Sequence, residues 1–409
     1  MLAGTIGVYF FLFLGLYFEI FLLISFFERQ PEQKSAALPR YFPTVSIIVP
    51  CWNEEKTLAA TMQSLFALEY PKERLSFIIV NDGSTDNTLA VARGFESHPQ
   101  VKVFSKENGG KYTALNLGIE SCDSELVGCL DADSSVAPDA LIESVKKFVE
   151  NDRTMAVVPA MRVNNPRNML ELMQAVEYTF GIFYKKMFDN LAAISVLPGP
   201  FSIYRRSVFA IVGPFRHAHN TEDMEMAFRL HQHGLLIENA HTAVVYTNAP
   251  KTVRSLVKQR TRWSQGFLQN SQDYHYMYFN PRFGNFGLLV LPFGLTMFFG
   301  ALYMTAFLLY HFAQAIIIRV GDLWLARVPL HMPLFTFDWF YIDTSMLAVL
   351  AVVTLLMTLV AILIGRRIAG ANFGLASLVS YFALYGFIAP IWLARAAWGA
   401  VRAQESTWR

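Results

Sequence analysis

Charge is scarce in this sequence. Lys, Arg, Asp and Glu make up 16% of the 409 residues, against 54% hydrophobic, where soluble domains carry roughly 25% charged residues. Such a deficit argues against a wholly soluble chain and for membrane-crossing segments. The net charge is only +2, so no basic field of the kind that draws nucleic acid is present, and no nucleic-acid partner is expected. Cysteine is nearly missing as well. Cys51, Cys122 and Cys129 are too few and too unevenly spaced for a zinc site or a disulfide framework, and they read as reduced thiols. No repeat recurs at a fixed period and no tract is of low complexity. The first apolar run lacks a basic lead-in and an A-x-A-like cleavage site, so it reads as a retained span and not as a signal peptide.

Long hydrophobic runs are what the sequence has in place of charge. Residues 5–27 suffice to cross a bilayer, with Glu19 as their single charge. Intramembrane carboxylates need a partner or a task, and Glu19 is expected to face protein. Glu28, Arg29, Lys34 and Arg40 follow, which places that side in the cytoplasm by the positive-inside rule and the N-terminus outside. Residues 286–312, 345–364 and 373–392 read as three further spans, with Arg366 and Arg367 in a cytoplasmic turn. Residues 319–343 fit either an external loop or an interfacial helix. The expected organisation is a transmembrane helix over 1–30, a cytoplasmic domain over 39–280 with interfacial helices near 165–190 and 250–275, and about three spans over 281–409. This topology leaves the C-terminal arginines Arg395, Arg402 and Arg409 outside, in conflict with the positive-inside rule.

In the polar part, apolar runs at 45–49, 77–80, 101–104, 126–130 and 155–158 read as buried strands, alternating with helix-period stretches such as NEEKTLAATMQSLFAL and STDNTLAVARGF. Strand–helix alternation implies an α/β fold with a mostly parallel sheet, whose ligands bind beyond the carboxyl ends of the strands. At those ends stand PCWNEE (50–55), NDGSTD (81–86), ENGGKYTALN (107–116) and DAD (131–133). Acids, amides, glycines and a lysine thus gather on one rim.

Each stretch carries chemistry and also a plainer reading. Asp131 and Asp133 offer oxygens to a hard divalent cation that keeps waters and takes further ligands from a diphosphate, although D-x-D also occurs in ordinary turns. Asp82 is able to cap the helix starting near Thr85. Ser84 and Asp86 serve that purpose too, which leaves Asp82 for a nucleobase imide or a ribose hydroxyl. Lys111, in a glycine-led loop, suits phosphate or ribose, or is a solvated loop lysine. In HNTEDMEMAFRLHQHG (219–234), Asn220 or Thr221 caps a helix whose first turn holds Glu222 and Asp223. A helix N-terminus favours negative charge by about 0.3–1 kcal/mol per group, so both carboxylates are expected to be ionised near neutral pH, as a general base requires. His231 and His233 point to different faces and read as structural. In QRTRWSQG (259–266), Gln259, Arg262 and Trp263 share one helix face at i, i+3 and i+4. Arginine binds phosphate bidentately, and an indole stacks on a sugar ring. An interfacial anchor would also use arginine and tryptophan, but it does not explain two glutamines.

Taken in order, VPCWNEE, VNDGSTD, NGGKYTALN, DAD, GP, TED and QRTRW resemble the processive membrane glycosyltransferases of family 2, the synthases of cellulose, hyaluronan, chitin oligosaccharides and poly-N-acetylglucosamine. The likeness runs from Val45 to Gly266, and NTED with QRTRWSQG is similar to the poly-N-acetylglucosamine branch. The resemblance implies a GT-A-type nucleotide-sugar-binding domain, a UDP-sugar donor, a growing glycan or glycolipid acceptor, Mg²⁺ or Mn²⁺, and an export or accessory subunit as a possible partner. It implies that Pro50, Cys51, Asn53, Glu54 and Asp82 surround the uridine and that Lys111 helps hold the nucleotide. It puts Asp131 by the ribose or diphosphate and Asp133, with Asp131, on the metal. It makes Asp223 the base supported by Glu222, has Gln259, Arg260 and Arg262 hold the diphosphate, and stacks Trp263 on the acceptor sugar. Gly199 and Pro200 occupy the acceptor-site position. The prolines of LPGPF (197–201) depart from the small or polar residues usual there. The alternatives are single-sugar transfer to a lipid or short oligosaccharide, or an inactive nucleotide-sugar-binding membrane protein.

Overall fold

Buried β-branched runs set the centre of the molecule. In the computed structural model, which describes residues 2–29, 37–326 and 345–402, the strands are β1 (Val45–Cys51), β2 (Leu75–Asp82), β3 (Val101–Lys106), β4 (Leu126–Cys129), β5 (Ser134–Val136), β6 (Thr154–Val163), β7 (Ile203–Arg205) and β8 (Leu236–Thr247). They form one mixed sheet in the order β3-β2-β1-β4-β7-β6-β8-β5. Strands β1 to β4 pair in parallel, as do β6 and β8. β7 runs antiparallel to β4 and β6, and β5 antiparallel to β8.

Each of the five apolar runs is a strand. The other three carry no readable period. β5 and β7 are three residues long, and β8 interrupts its apolar residues with Glu238, Asn239 and His241. Tertiary partners hold two of these polar groups: Thr154 donates to Glu238, and Asn239 Nδ2 donates to Val158 O at 3.0 Å.

Both faces of the sheet are covered. Ile47 and Val49 point to one side, packed with Leu58, Met62 and Leu65 of α2 (Leu58–Phe66), Ala92 of α3 (Thr88–Arg93), and Leu141, Val145 and Phe148 of α5 (Ala140–Glu150). Ile48 points to the other, against α4 (Lys111–Glu120), α7 (Val208–Val212) and α8 (Glu222–Gln232). Each such side chain contributes about 1.5–3 kcal/mol on burial. This inside-on-both-faces pattern explains why the strands read as continuous apolar runs and not as alternation.

Two long helices, α6 (Met169–Asn190) and α9 (Val253–Asp273), lie beside the sheet domain. Each starts at a capping box, Asn168 with Glu171 and Thr252 with Ser255, which satisfies two otherwise unpaired donors. The apolar helices are α1 (Leu2–Glu28), α10 (Leu291–Ala326), α11 (Met346–Ala369) and α12 (Leu375–Val401). All four are long and apolar enough to cross a membrane.

A five-residue π-helical stretch, Phe286–Val290, leads into α10. That helix continues through Arg319 and Asp322 to Ala326, so the first part of the ambiguous 319–343 stretch is helical, and 327–344 lie outside the described residues. Helices α1, α10 and α11 pack together. Phe18 stacks on Phe293, Tyr303 donates to Gly4 O, and Thr358 donates to Glu19 Oε1 at 2.8 Å. Glu19 is thus turned to protein.

Candidate active site

The loops after β1, β2 and β3 are stitched together by their own side chains. Asn53, in a left-handed conformation (φ 57°), accepts from Thr85 N at 2.8 Å, while its own N–H donates to Ser84 Oγ at 3.0 Å. Glu54 N donates to Thr88 Oγ1, and Glu55 N to Asp86 Oδ2. Asp86 caps α3 through Thr88, with hydrogen bonds that hold its carboxyl below the usual range against the opposing effect of burial. Cys51 faces inward, in the core beside Val49, and burial holds its thiol well above the usual range. The structure therefore brings Pro50, Asn53 and Glu54 to the rim but turns the Cys51 side chain away from it.

Asp82 is not left free. Its carboxylate accepts from Lys106 Nζ at 2.6 Å and from the amides of Gly109 and Gly110 at 3.0 and 2.9 Å. Gly83 makes this possible: at φ 66°, any side chain would also meet Asn108 N at 2.6 Å. Lys111 likewise departs from a solvated loop lysine. It is the first residue of α4, and its Nζ lies 2.5 Å from Asp131 Oδ1 and 3.7 Å from Glu222 Oε1. Burial works against its charge, but Asp131 and Glu222 outweigh burial and hold the ammonium above its ordinary value.

Gly199 sits directly over this pair. A methyl group there would lie 2.4 Å from Lys111 Nζ and 2.9 Å from Asp131 Oδ1. The 197–201 loop is fixed at both ends, Leu197 N to Asp223 O at 3.3 Å and Phe201 N to Cys129 O at 2.6 Å. Phe201 adopts φ 64° while fully buried, a costly conformation for a bulky residue. Pro200 is buried beside it.

Helix α8 follows Thr221, one of the two expected caps, but the Thr221 hydroxyl makes no capping bond and instead donates to Ala218 O; the helix ends before Gly234, which is left-handed (φ 65°). The helix end does not by itself set the acidity of Asp223. Burial pushes the Asp223 carboxyl up to about 6. Glu222 adds to the rise, while Lys111 and Arg262 oppose it. Desolvation thus exceeds the helix-end effect. His231 stacks on Phe286, donates from Nε2 to Ile194 O at 2.8 Å, and is pushed by burial down to about 4. It is a neutral core residue, as the spacing implies.

Immediately before α8, Ala218, His219 and Asn220 have φ of 44°, 56° and 60°. Arg262 Nη1 donates to Asn220 O at 3.1 Å, and Asn270 Nδ2 donates to Thr221 Oγ1 at 2.9 Å. Gly266 packs so closely that a methyl there would lie 2.3 Å from Thr221 Cγ2. Helix α9 is thereby locked to the start of α8, which brings Arg262 to Asp223.

Arg260 goes elsewhere. Its Nε and Nη2 bind Glu177 at 3.1 and 2.8 Å, its Nη1 binds Gln259 Oε1 at 2.8 Å, and its guanidinium stacks 4.2 Å from the Trp263 ring centroid. It is 4% exposed, so it makes a buried ion pair between α6 and α9 and is committed away from Asp131. The structure also adds a residue the motifs did not indicate. Lys185 of α6 faces Asp223, and burial pushes its ammonium down to about 8 while Asp223 pulls the other way. No local motif surrounds Lys185; only the packing of α6 against α8 brings it there.

Among the described residues, no three His, Cys, Asp or Glu side chains converge to hold a metal. Asp131 and Asp133, flanking the buried Ala132 on the turn after β4, are the donor set that remains. Two carboxylates suit a hard cation that takes its other ligands from water and a diphosphate.

Fold and site together define a class, a GT-A-type glycosyltransferase domain. Residues 46–212 match Glycosyl transferase family 2, and the chain carries a domain of that family. It is 32% identical over 261 residues to a poly-β-1,6-N-acetyl-D-glucosamine synthase of Staphylococcus epidermidis, covering 62% of this chain and 63% of that protein. It is 34% identical over 224 residues to the protein of the same name from Staphylococcus aureus, covering 54% of each. The match thus spans less than two thirds of either relative. Among solved structures, the mannosyltransferase PcManGT from Pyrobaculum calidifontis, in complex with GDP-Man and Mn²⁺, superposes with a TM-score of 0.64 over 99% of this chain and 98% of that one. At 19% identity this shows a shared fold, apolar helices included.

Proposed function

We propose that the protein is an inverting membrane glycosyltransferase that uses a UDP-sugar to elongate a β-linked polysaccharide of N-acetylglucosamine. The observation that carries this reading is the convergence of the Glu222–Asp223 turn with the Lys111–Asp131 pair and with Arg262. Similarity to the staphylococcal synthases supports the choice of sugar.

In this mechanism Asn53, Glu54 and Asp82 line the uridine pocket. Lys111 and Asp131 orient the ribose and diphosphate, with Asp133 and Asp131 holding Mg²⁺ or Mn²⁺. The cation, when bound, offsets charge on the departing diphosphate. Asp223 takes the proton from the acceptor hydroxyl, and its raised value suits a base that must later release that proton. Gln259 and Arg262 bind the leaving diphosphate, where positioned cations contribute most in the transition state. Gly199 lets the acceptor-site loop close over the Lys111–Asp131 pair, and Trp263 offers the ring face that Arg260 does not cover. The catalytic domain faces the cytoplasm, where nucleotide-sugars are made.

The test uses purified protein in nanodiscs with a panel of UDP-sugars and Mg²⁺ or Mn²⁺, following UDP release and product size. UDP release from UDP-N-acetylglucosamine alone, with a ladder of products, is the expected result. Chelation with EDTA should abolish release and added Mn²⁺ restore it. A single-sugar lipid product would replace the synthase reading with transfer to a lipid acceptor.

A further inference from the structure

Helix α12 has the length and composition of a membrane span, yet both its ends touch the catalytic domain. Just before it, Gly370 lies against Arg162 of β6, where a methyl group would sit 3.6 Å from Nη2. Near its end, Gly399 lies against Gln265 of α9, where a methyl would sit 2.8 Å from Oε1. Gly266, the next residue of α9, packs on Thr221. Both contacts are therefore made to the same domain. A crossing helix of 27 residues, about 40 Å long at 1.5 Å per residue, would carry its far end to the opposite surface, ~30 Å of hydrocarbon away.

The packing along α12 agrees. Ser377, Tyr381, Ile388, Trp392, Ala396 and Gly399 are buried, a stripe at spacings of three, four and seven that runs the whole length. Tyr381, Ile388, Ala389 and Trp392 pack with Met173 and Val176 of α6 and Leu256 and Val257 of α9. The opposite face is apolar and exposed, with Leu375 at 76% and Phe387 at 80%. By contrast, α11 is buried only over its last turns, at Ala361, Ile362, Gly365 and Ala369, where it meets α6, as at Gly365 on Thr179 O.

We infer that α12 lies in the membrane plane on the catalytic-domain side, with its outer face docked on the headgroup and acyl boundary of that leaflet. The partner surface is lipid, because the exposed face stays apolar from Leu375 through Phe387 and Trp398 to Val401, on a helix whose composition suits a bilayer. Helix α12 then braces α9, which carries Gln259, Arg262 and Trp263, against α6. Among the described residues, α1, α10 and α11 are then the helices that cross the bilayer. Arg395 and Arg402, both exposed, fall on the cytoplasmic side at headgroup level, as the positive-inside rule asks. The same leaflet thus receives the arginines that a four-span topology strands outside. This holds whatever sugar the site transfers.

The test is cysteine labelling of the full-length chain in sealed vesicles with a membrane-impermeant maleimide. The native Cys51, Cys122 and Cys129 are buried and give little background. Glu96→Cys marks the catalytic domain and Asp322→Cys the far end of α10, while Asn372→Cys and Arg402→Cys flank α12. The expected result is that Asn372→Cys and Arg402→Cys both label from the side that labels Glu96→Cys, and Asp322→Cys from the other. Labelling of Arg402→Cys only from the Asp322→Cys side would overturn the inference. An epitope tag after Arg409 provides the same decision without a substitution: digestion together with the catalytic domain supports the in-plane helix, and protection from that side refutes it.

Discussion

Asp223 is the residue on which the proposed chemistry turns, and its ionisation gives a measurable signature. With its carboxyl raised to about 6, roughly nine in ten copies are ionised one unit higher, at pH 7. The base is active when ionised, so turnover should be flat above pH 7 and fall about tenfold per unit well below 6. A kcat/KM profile from pH 5 to 8, which reports the free enzyme, would show this limb. Asp223→Asn should lose about 10²-fold or more in turnover and retain donor affinity; near-normal turnover would remove it from the role of base. The two arginines of the clamp should separate cleanly. Arg262→Ala should lower turnover about 10²–10³-fold at nearly unchanged melting temperature. Arg260→Ala leaves Glu177 unpaired beside α9 and should cost about 3–5 kcal/mol of stability, whereas Arg260→Met with Glu177→Leu should recover most of it. If Arg260→Met/Glu177→Leu were stable yet unable to bind UDP, Arg260 would be a donor ligand after all.

Between elements, the decisive contact is α9 on the start of α8. Gly266 leaves no room for a side chain against Thr221, and Arg262 holds the carbonyl of Asn220, the last of three consecutive left-handed residues. Gly266→Ala should therefore displace the clamp from the base. The measured outcome is a fall in kcat of about 10²-fold, as for ångström-scale misplacement, with the KM for the donor little changed. The strand–loop architecture was legible because buried parallel strands leave unbroken apolar runs, as in Val45–Cys51 and Leu75–Asp82. β7 left no such trace. Its three residues are held by pairing with β4 and β6, a non-local effect.

At the scale of the whole molecule, the apolar runs identify which helices suit lipid but not how each one meets it. α11 and α12 are both long and apolar enough to cross a bilayer, yet one face of α12 is buried from Ser377 to Gly399 and α11 is buried chiefly near its last turns. The in-plane reading of α12 makes the leaflet on the catalytic-domain side part of the catalytic platform.

Local chemistry carried much of this protein in its sequence alone. Strand runs, a helix beginning close to Thr221 and the one-rim gathering of Asp82, Lys111 and Asp131 follow from residue type and spacing, because each depends on neighbours a few positions away. Only the tertiary structure decided the rest. It paired Lys106 with Asp82, turned Cys51 inward and Arg260 to Glu177, brought Lys185 to Asp223, and raised Asp223 by burial. Those outcomes depend on which distant groups share a low-dielectric space, and neither residue spacing nor apolar patterning records that.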